Sequence, residues 1–467
     1  MKSPLTIDQL HLSLKKKEYS IVELLDGYFA RIKANEDLNA FITLTDDYAY
    51  KRAKKLQRVV ADSPRAFVEF PLLGVPVAMK DLYLTKGIRT TAASKVLENY
   101  ISVYSSTVFE RLEAAGAILV GKANCDAWAH GSTGENSDFG VTKNPWDKRY
   151  VSGGSSSGSA VSVAANLALV SPGTDTCGSI RLPANFCGVT GLKPTYGAVS
   201  RYGVVAMASS LDTMGHITRS VEDSQRVFRI TRGVDGKDST LVNFKYSIFS
   251  SKNRLKIGIP KEFVEEGLNK DVKTAVEDFA DFLRRVGHEI IEVSLPSTKY
   301  AISIYYIIQP AEVSSNLGRY DGIRYGNNRS HFGMESKRRI MLGTFVLSSG
   351  YYDAYYNKAM KARSLIIKEV EKAFDKVDLL LAPVSPSPPF KLGTKTSDPL
   401  EMYLTDIFAA TANLTGIPSL ALPTGFTNKG LPLGVQLMGP RFSEEMLFEI
   451  GKSYQLDSDY HTKLPLT

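Results

Sequence analysis

Cysteine and histidine are scarce in this chain, and long apolar runs do not occur. The three cysteines, Cys125, Cys177 and Cys187, form no CxxC pair, so neither a disulfide framework nor a zinc site is predicted. No run of about 18 uncharged apolar residues exists, and the first residues lack the features of a signal or transit peptide. We therefore expect a cytoplasmic protein with reduced thiols, no metal of its own and no membrane contact, with the mitochondrial matrix as a second possible location.

A strong charge of one sign is also missing. The 467 residues include 57 basic and 49 acidic ones, a formal net charge of +8, which is a mild excess and not the basic stripe of a nucleic-acid-binding protein. The lysine-rich runs at 15–17 and 51–55 are more typical of solvated helix faces. Direct nucleic-acid binding is therefore the weakest hypothesis for this chain.

The N-terminal residues indicate helices. Thr6 is followed by Gln9, and Ser20 is followed by Glu23, which are the spacings of helix-start capping pairs. We predict a helical arm at 1–65 that packs on the remaining domain, 66–467.

From residue 71 onward, short apolar runs alternate with helical stretches. The runs lie at 73–79, 117–120, 167–170, 255–259, 379–382, 419–422 and 433–437. They predict an α/β fold, a single large domain with a mixed central β-sheet covered by helices on both faces. A polar stretch at 233–254 is the one plausible seam. It separates a catalytic half, 66–232, from a substrate-pocket half, 255–467.

Eight consecutive residues, 152–159 (SGGSSSGS), consist only of glycine and serine. Such a run in isolation is typical of a flexible linker. Here it leads directly into a helix of small residues at 160–166 and then into an apolar strand. These surroundings favour a functional loop attached to the core, although the residues alone leave the linker interpretation open.

A glycine-bearing turn follows at 173–183 (GTDTCGSIRLP), between a strand end and a helix start. Successive backbone N–H groups in such a turn can stabilise a developing oxyanion, and a serine at a helix start lies in a positive field. Ser179 is therefore a candidate nucleophile. A helix-capping serine is the alternative interpretation of the same residue.

A serine nucleophile needs a base, and histidine is a poor candidate in this chain. The six histidines are His11, His130, His216, His288, His331 and His461, and no Gly-x-Ser-x-Gly elbow occurs, so a Ser-His-Asp enzyme is not expected.

Lysine is the remaining base. Lys80 ends the apolar strand at 75–79, and burial there would favour its neutral amine. A strand-end lysine that extends toward water is the alternative interpretation.

Together these segments resemble the amidase signature family. The motifs are 153–159 (GGSSSGS), 173–181 (GTDTCGSIR), 188–197 (GVTGLKPTYG) and 209–212 (SSLD), with Lys80 upstream. The resemblance implies amide cleavage by a Ser-cisSer-Lys set, with Ser179 as nucleophile, Ser155 as the bridging serine after a cis peptide, and Lys80 as base. It also implies an oxyanion hole formed by the backbone of Thr176, Cys177 and Gly178.

Within that family, the second half is similar to the glutamine-hydrolysing subunits of tRNA-dependent amidotransferases. The similar segments include 311–326 (AEVSSNLGRYDGIRYG), 337–343 (KRRIMLG), 347–356 (LSSGYYDAYY) and 398–406. The resemblance implies a pocket for free glutamine, in which Arg339 binds the α-carboxylate, Asp406 binds the α-amino group and Tyr306 or its neighbour Tyr305 closes the pocket. The implied partners are the B and C subunits of such an amidotransferase, or an organellar equivalent of the latter, and misacylated tRNA. ATP and Mg²⁺ are expected on a partner, and no cofactor is expected in this chain.

Four departures from the family pattern affect the surroundings of the site. Cys177 stands where glycine is usual, and Leu182 replaces a usual glutamine. The chain is about fifteen residues shorter than is typical between 326 and 337, and the segment 125–136 differs from the usual sequence. Besides a glutaminase component, the open alternatives are a stand-alone amidase acting on another amide and a non-catalytic assembly scaffold. Retention of Lys80, Ser155 and Ser179 together argues against the scaffold.

Overall fold

The strands in the described part of the chain form one mixed sheet. The structure is a computed structural model that describes residues 4–246, 254–264, 267–324, 326–394, 402 and 404–465. The strands are β1 (Phe41–Leu44), β2 (Pro76–Lys80), β3 (Ile118–Ala123), β4 (Val170–Asp175), β5 (Thr190–Lys193), β6 (Thr213–Thr218), β7 (Lys256–Pro260), β8 (Glu289–Val293), β9 (Leu379–Pro383), β10 (Ser419–Phe426) and β11 (Pro432–Met438). They lie in the order β1-β3-β2-β4-β6-β5-β10-β11-β9-β7-β8. Parallel and antiparallel pairs both occur, so the prediction of a mixed α/β sheet is confirmed.

Helices cover this sheet. They are α1 (Ile7–Lys15), α2 (Ile21–Ala34), α3 (Asp46–Asp62), α4 (Ala66–Glu69), α5 (Thr107–Ala114), α6 (Ser157–Ala164), α7 (Arg181–Cys187), α8 (Val221–Thr231), α9 (Lys270–Arg285), α10 (Ala301–Asn316), α11 (Met334–Val346), α12 (Lys358–Phe374), α13 (Ala410–Thr415) and α14 (Glu444–Asp457). Every residue of β2, β4, β6 and β9 is buried. Successive strand residues point to opposite faces, so both faces are covered. Among the described helices, none is long and apolar enough to span a bilayer.

The N-terminal region contains helices and one strand. The Thr6 hydroxyl accepts the N–H of Gln9 at the start of α1, and Ser20 and Glu23 form a complete capping box at the start of α2, as their spacing predicts. The region is not purely helical, however, because β1 pairs antiparallel with β3 and forms the edge of the sheet. Its short sequence, FITL, has no clear alternation of polar and apolar residues, so the pattern does not predict a strand there.

The two halves of the sequence share the sheet. The strands β1 to β6 make up one side, the strands β7 to β11 make up the other, and β5 pairs antiparallel with β10 where they meet. Within the polar stretch 233–254 that separates them in sequence, residues 247–253 lie outside the described part of the chain. Residues 398–401 and 403 of the segment 398–406 also lie outside it.

Candidate active site

Lys80 lies at the buried end of β2 and is fully shielded from solvent. Its Nζ donates to three hydroxyl groups, at 2.8 Å to Ser155 Oγ, 2.8 Å to Thr174 Oγ1 and 3.0 Å to Ser156 Oγ. Burial lowers the pKa of Lys80 from its ordinary 10.5 to about 8, because removal from water disfavours the charged ammonium. A substantial fraction of the amine is therefore neutral near pH 8 and able to accept a proton.

The peptide bond between Gly154 and Ser155 is cis. Glycine is required before it on steric grounds, because a Cβ on Gly154 would lie 2.0 Å from Asp126 Oδ2. Ser155 itself is fully buried, and the next residue, Ser156, donates its N–H to the carbonyl of Ser179 at 3.0 Å. The glycine-serine loop is therefore fastened both to Lys80 and to the candidate nucleophile, which rules out a flexible linker.

Ser179 lies in the turn between β4 and α7 and is buried. The carboxylate of Asp175 organises this turn, since it accepts the N–H groups of Gly178 at 2.7 Å and of Ile180 at 3.2 Å. Burial alone would raise the pKa of Asp175, but the adjacent guanidinium of Arg181 holds it at about 2. Arg181 also donates to Gln436 Oε1 at 2.6 Å. The buried ion pair thus fixes the turn to the second half of the chain.

The predicted oxyanion hole needs one correction. The N–H of Gly178 already donates to Asp175, so it is not available to an oxyanion. Within the described chain, the N–H groups of Thr176, Cys177 and Ser179 donate no hydrogen bond. Gly178 is instead needed for the shape of the turn. Its φ is +104°, and a Cβ at this position would collide with Ala409.

The side chain of Cys177 is accommodated without a left-handed backbone. The residue does not have positive φ, so the usual preference for glycine there is not a steric requirement in this chain. Its thiol is buried, and burial raises its pKa well above the ordinary value. It packs in the same apolar cluster as Tyr305 and Leu211. Leu182, the other departure in this turn, packs in a separate apolar cluster with Val151 and Phe186.

The predicted pocket residues lie beside this turn. Arg339, on α11, is buried and donates from Nε to Glu335 Oε1 at 2.8 Å and from Nη1 to Gln309 Oε1 at 3.0 Å. Its guanidinium lies 5.3 Å from the centroid of the Tyr306 ring, and Tyr305 packs edge-on against that ring at 4.9 Å. Both tyrosines therefore line the pocket, and Tyr306 is the one in contact with the arginine.

Asp406 also lies beside the nucleophile turn. It is buried and accepts the hydroxyl of Ser132. Its Oδ1 would lie 3.7 Å from a Cβ on Gly178, which places the carboxylate beside the turn that carries the candidate nucleophile. Burial raises the pKa of Asp406 to about 8. A cationic group bound against it would favour the ionised form.

A family model described as Amidase matches residues 23–448. The chain belongs to the amidase family.

Full-length relatives of this amidase carry a more specific name. The A subunit of glutamyl-tRNA(Gln) amidotransferase from Geotalea daltonii is 49% identical over 481 residues, covering 98% of each chain. The protein of the same name from Carboxydothermus hydrogenoformans is 48% identical over 482 residues and 99% of each chain. The crystal structure of the A subunit of glutamyl-tRNA(Gln) amidotransferase from Thermotoga maritima superposes on this structure with a TM-score of 0.84. The two sequences are 40% identical, and the match covers 99% of this chain and 97% of the Thermotoga chain.

Several residues of the amidase site are not identifiable from the sequence pattern. Thr174 contacts Lys80, and the ion pair of Asp175 and Arg181 holds the nucleophile turn in place. The sequence marks these three residues only by their position inside the segment 173–183. Ser132 lies in the segment 125–136, whose only signal is its departure from the family pattern. Gln309 has no signal, since nothing in its helix distinguishes it from a core residue.

Proposed function

We propose that this amidase is the glutamine-hydrolysing subunit of a tRNA-dependent amidotransferase. The observation that carries the proposal is a buried guanidinium, Arg339, near a buried carboxyl group, Asp406, which lies beside the Ser179 turn and whose ionised form is favoured when a cation binds against it. A free amino acid presents one carboxylate and one ammonium group, and a fixed guanidinium and a fixed carboxylate are their complements. The names of the full-length relatives support the same function.

The proposed chemistry is acyl transfer through Ser179. Neutral Lys80 accepts the proton of Ser155 Oγ while Ser155 accepts that of Ser179 Oγ, which attacks the side-chain carboxamide carbon of glutamine. The oxyanion is stabilised by the backbone N–H groups of Thr176, Cys177 and Ser179. The Lys80 ammonium returns the proton through Ser155 to the leaving nitrogen, so the C–N bond breaks and ammonia leaves. Water then attacks the acyl-Ser179 ester with the same base, releasing glutamate and restoring the hydroxyl.

The partners follow from the need to use the ammonia. We infer that the B subunit of the assembly receives it and converts Glu-tRNA(Gln), Asp-tRNA(Asn) or both to the amidated form, with ATP and Mg²⁺ bound on that partner. The small C subunit and the misacylated tRNA complete the assembly. In this division the present chain contributes glutamine recognition and hydrolysis.

The test is nucleophile replacement in the co-purified complex. Ser179→Ala should abolish ammonia release from glutamine and glutamine-dependent tRNA amidation, while amidation supplied with ammonium chloride continues. Ser159→Ala is the matched control, because Ser159 is a buried serine of the same region that bonds to Pro172 O and not to the site.

Two outcomes would contradict the proposal. An unchanged glutamine-dependent rate in Ser179→Ala would remove the assigned nucleophile. Efficient hydrolysis of aryl or aliphatic amides by the chain alone, with no turnover of glutamine in any complex, would favour a stand-alone amidase.

A further inference from the structure

Two buried nitrogen atoms beside Arg339 lack a hydrogen-bond partner. They are Nε2 of His130 and Nε2 of Gln309, which have none within the described part of the chain. Both side chains are fully shielded from solvent. A buried donor without a partner costs about 1–3 kcal/mol. Two of them, one on a residue bonded to Arg339 and one on a residue bonded to its helix, indicate a ligand that supplies acceptors.

His130 is held against the helix that carries Arg339. Its Nδ1 lies 3.1 Å from the hydroxyl of Ser336, which precedes Arg339 by one turn of α11. Burial and the charge of Arg339 lower the pKa of His130 well below its ordinary value, so the ring is neutral. When Nδ1 accepts the Ser336 hydroxyl proton, the single ring proton is on Nε2. Two residues later, Ser132 donates to Asp406, so this loop borders both ends of the pocket.

The amide of Gln309 is oriented by Arg339. A guanidinium only donates hydrogen bonds, so the amide atom that contacts Arg339 Nη1 at 3.0 Å must be the oxygen. The NH₂ group is therefore the unpartnered end. Gln309 thus presents donors in the same region as the guanidinium that orients it.

Arg339 alone is an incomplete site for a carboxylate. Its Nε is engaged by Glu335, a buried carboxylate that partly neutralises the guanidinium, and its Nη1 is engaged by Gln309. An incoming carboxylate has about four lone-pair positions to satisfy. Neutral N–H donors beside the arginine can supply the remaining hydrogen bonds.

We propose that His130 Nε2–H and Gln309 Nε2–H bind the α-carboxylate of the substrate together with Arg339. The inference rests on the proposed function, since it takes free glutamine as the substrate. It adds two residues that determine specificity for an α-carboxylate and assigns no role to them in the chemical step.

Kinetics of the co-purified complex test this with His130→Leu and Gln309→Met. Each should raise KM for glutamine about 10- to 100-fold, the range for a hydrogen bond to a charged group, and change kcat less than about threefold. His216→Leu is the matched control, because His216 is a buried histidine bonded to a serine hydroxyl outside the pocket. It should change neither KM nor kcat by more than about twofold.

Two substrate analogues separate the ends of the pocket. 4-Aminobutanamide keeps the amino group and lacks the carboxylate, so neither variant should change its kcat/KM. Glutaramate keeps the carboxylate and lacks the amino group, so both variants should impair it as they impair glutamine. Equal losses for 4-aminobutanamide would overturn the inference, because they would indicate a general structural defect.

A crystal structure of the Ser179→Ala complex with glutamine is the direct measurement and does not depend on the folding of the pocket variants. A carboxylate oxygen should lie within about 3 Å of each Nε2 atom. A carboxylate bound elsewhere, or an unchanged KM in both variants of an active complex, would overturn the inference alone. Failure of the wild-type complex to hydrolyse glutamine would overturn the proposed function itself.

Discussion

Removal of the Thr174 hydroxyl should shift the pH at which the enzyme becomes active. Thr174 Oγ1 accepts a hydrogen bond from Lys80 Nζ at 2.8 Å, and this bond stabilises the ammonium form. Thr174→Val preserves the shape of the side chain and removes the acceptor. The pKa of Lys80 should therefore decrease below its present value of about 8.

The magnitude follows from the energy of one such bond. With a pKa of about 8, roughly a tenth of Lys80 is neutral at pH 7, against about one part in 3,000 for an unperturbed lysine. A hydrogen bond to the charged form that contributes about 1.4 kcal/mol corresponds to one pKa unit. The variant should then have about half of its lysine neutral at pH 7, so its rate there should increase from about a tenth to about half of its own high-pH plateau.

The assay is ammonia release by the co-purified complex at saturating glutamine between about pH 6 and about pH 10. Saturating substrate is used because the α-ammonium group of bound glutamine favours the ionised form of Asp406, so that titration of Asp406 does not obscure that of Lys80. Thr218→Val is the control, since Thr218 lies at the far end of the neighbouring strand and bonds to Ser220 O. A midpoint in Thr174→Val equal to or above that of the wild type would refute the assignment of Lys80 as the titrating base.

Three further results are expected. Arg181→Met leaves Asp175 buried without its cation and should lower the free energy of unfolding by about 3–5 kcal/mol, measured by chemical denaturation; a loss below about 1 kcal/mol would show that the pair is not needed. Gly154→Ala forces a Cβ to within 2.0 Å of a buried carboxylate and should abolish ammonia release, whereas Gly425→Ala, with open space around its Cβ, should retain it. KM for glutamine should decrease as pH rises toward 8, because burial raises the pKa of Asp406 to about 8 and only its ionised form attracts the ammonium; Asp406→Asn should show a higher KM without that pH dependence.

The strands that can be predicted from the sequence are those with continuous apolar runs. β9, β10 and β11 agree closely with the runs at 379–382, 419–422 and 433–437. β4 begins at Val170, where its predicted run ends, because its buried residues, SPGTD, are small or polar. β5 and β6 escape prediction for the same reason. Their polar side chains are satisfied by groups outside the strands, such as Arg219 O for Thr190 and Ser224 Oγ for His216. A hydrophobicity pattern does not reveal such hydrogen bonds.

The catalytic set is more predictable than the pocket. Lys80 follows an apolar strand and Ser155 and Ser179 lie in glycine-rich turns, so each has a local signal. Arg339 and Asp406 are far apart in sequence. They come close through the packing of α11 on α10 and of α10 on α13, with Asp406 beside Gly178. Their pairing is indicated by family resemblance and not by spacing.

His130 is the pocket residue that is hardest to predict from the sequence. The sequence excludes it as a base because no strand or elbow precedes it, and the described structure gives it no hydrogen bond to the nucleophile turn. Its place in the pocket depends on the left-handed backbone of Trp128 and Ala129 just before it, with φ of 58° and 63°. Residues of these types rarely adopt that conformation, so the sequence does not indicate the direction in which the loop presents the ring.

The pairing of β5 with β10 limits how this protein can be recombined. Three consecutive pairs, Lys193 with Ser419, Leu192 with Leu420 and Gly191 with Ala421, join the halves in the buried interior. A chimaera that takes its substrate-pocket half from a relative of different specificity would have to match this seam as well as the Arg181 contacts to Asn413 and Gln436. New substrate preferences are therefore more accessible through single changes on α10 and α11, which carry Gln309 and Arg339, than through exchange of the half as a module.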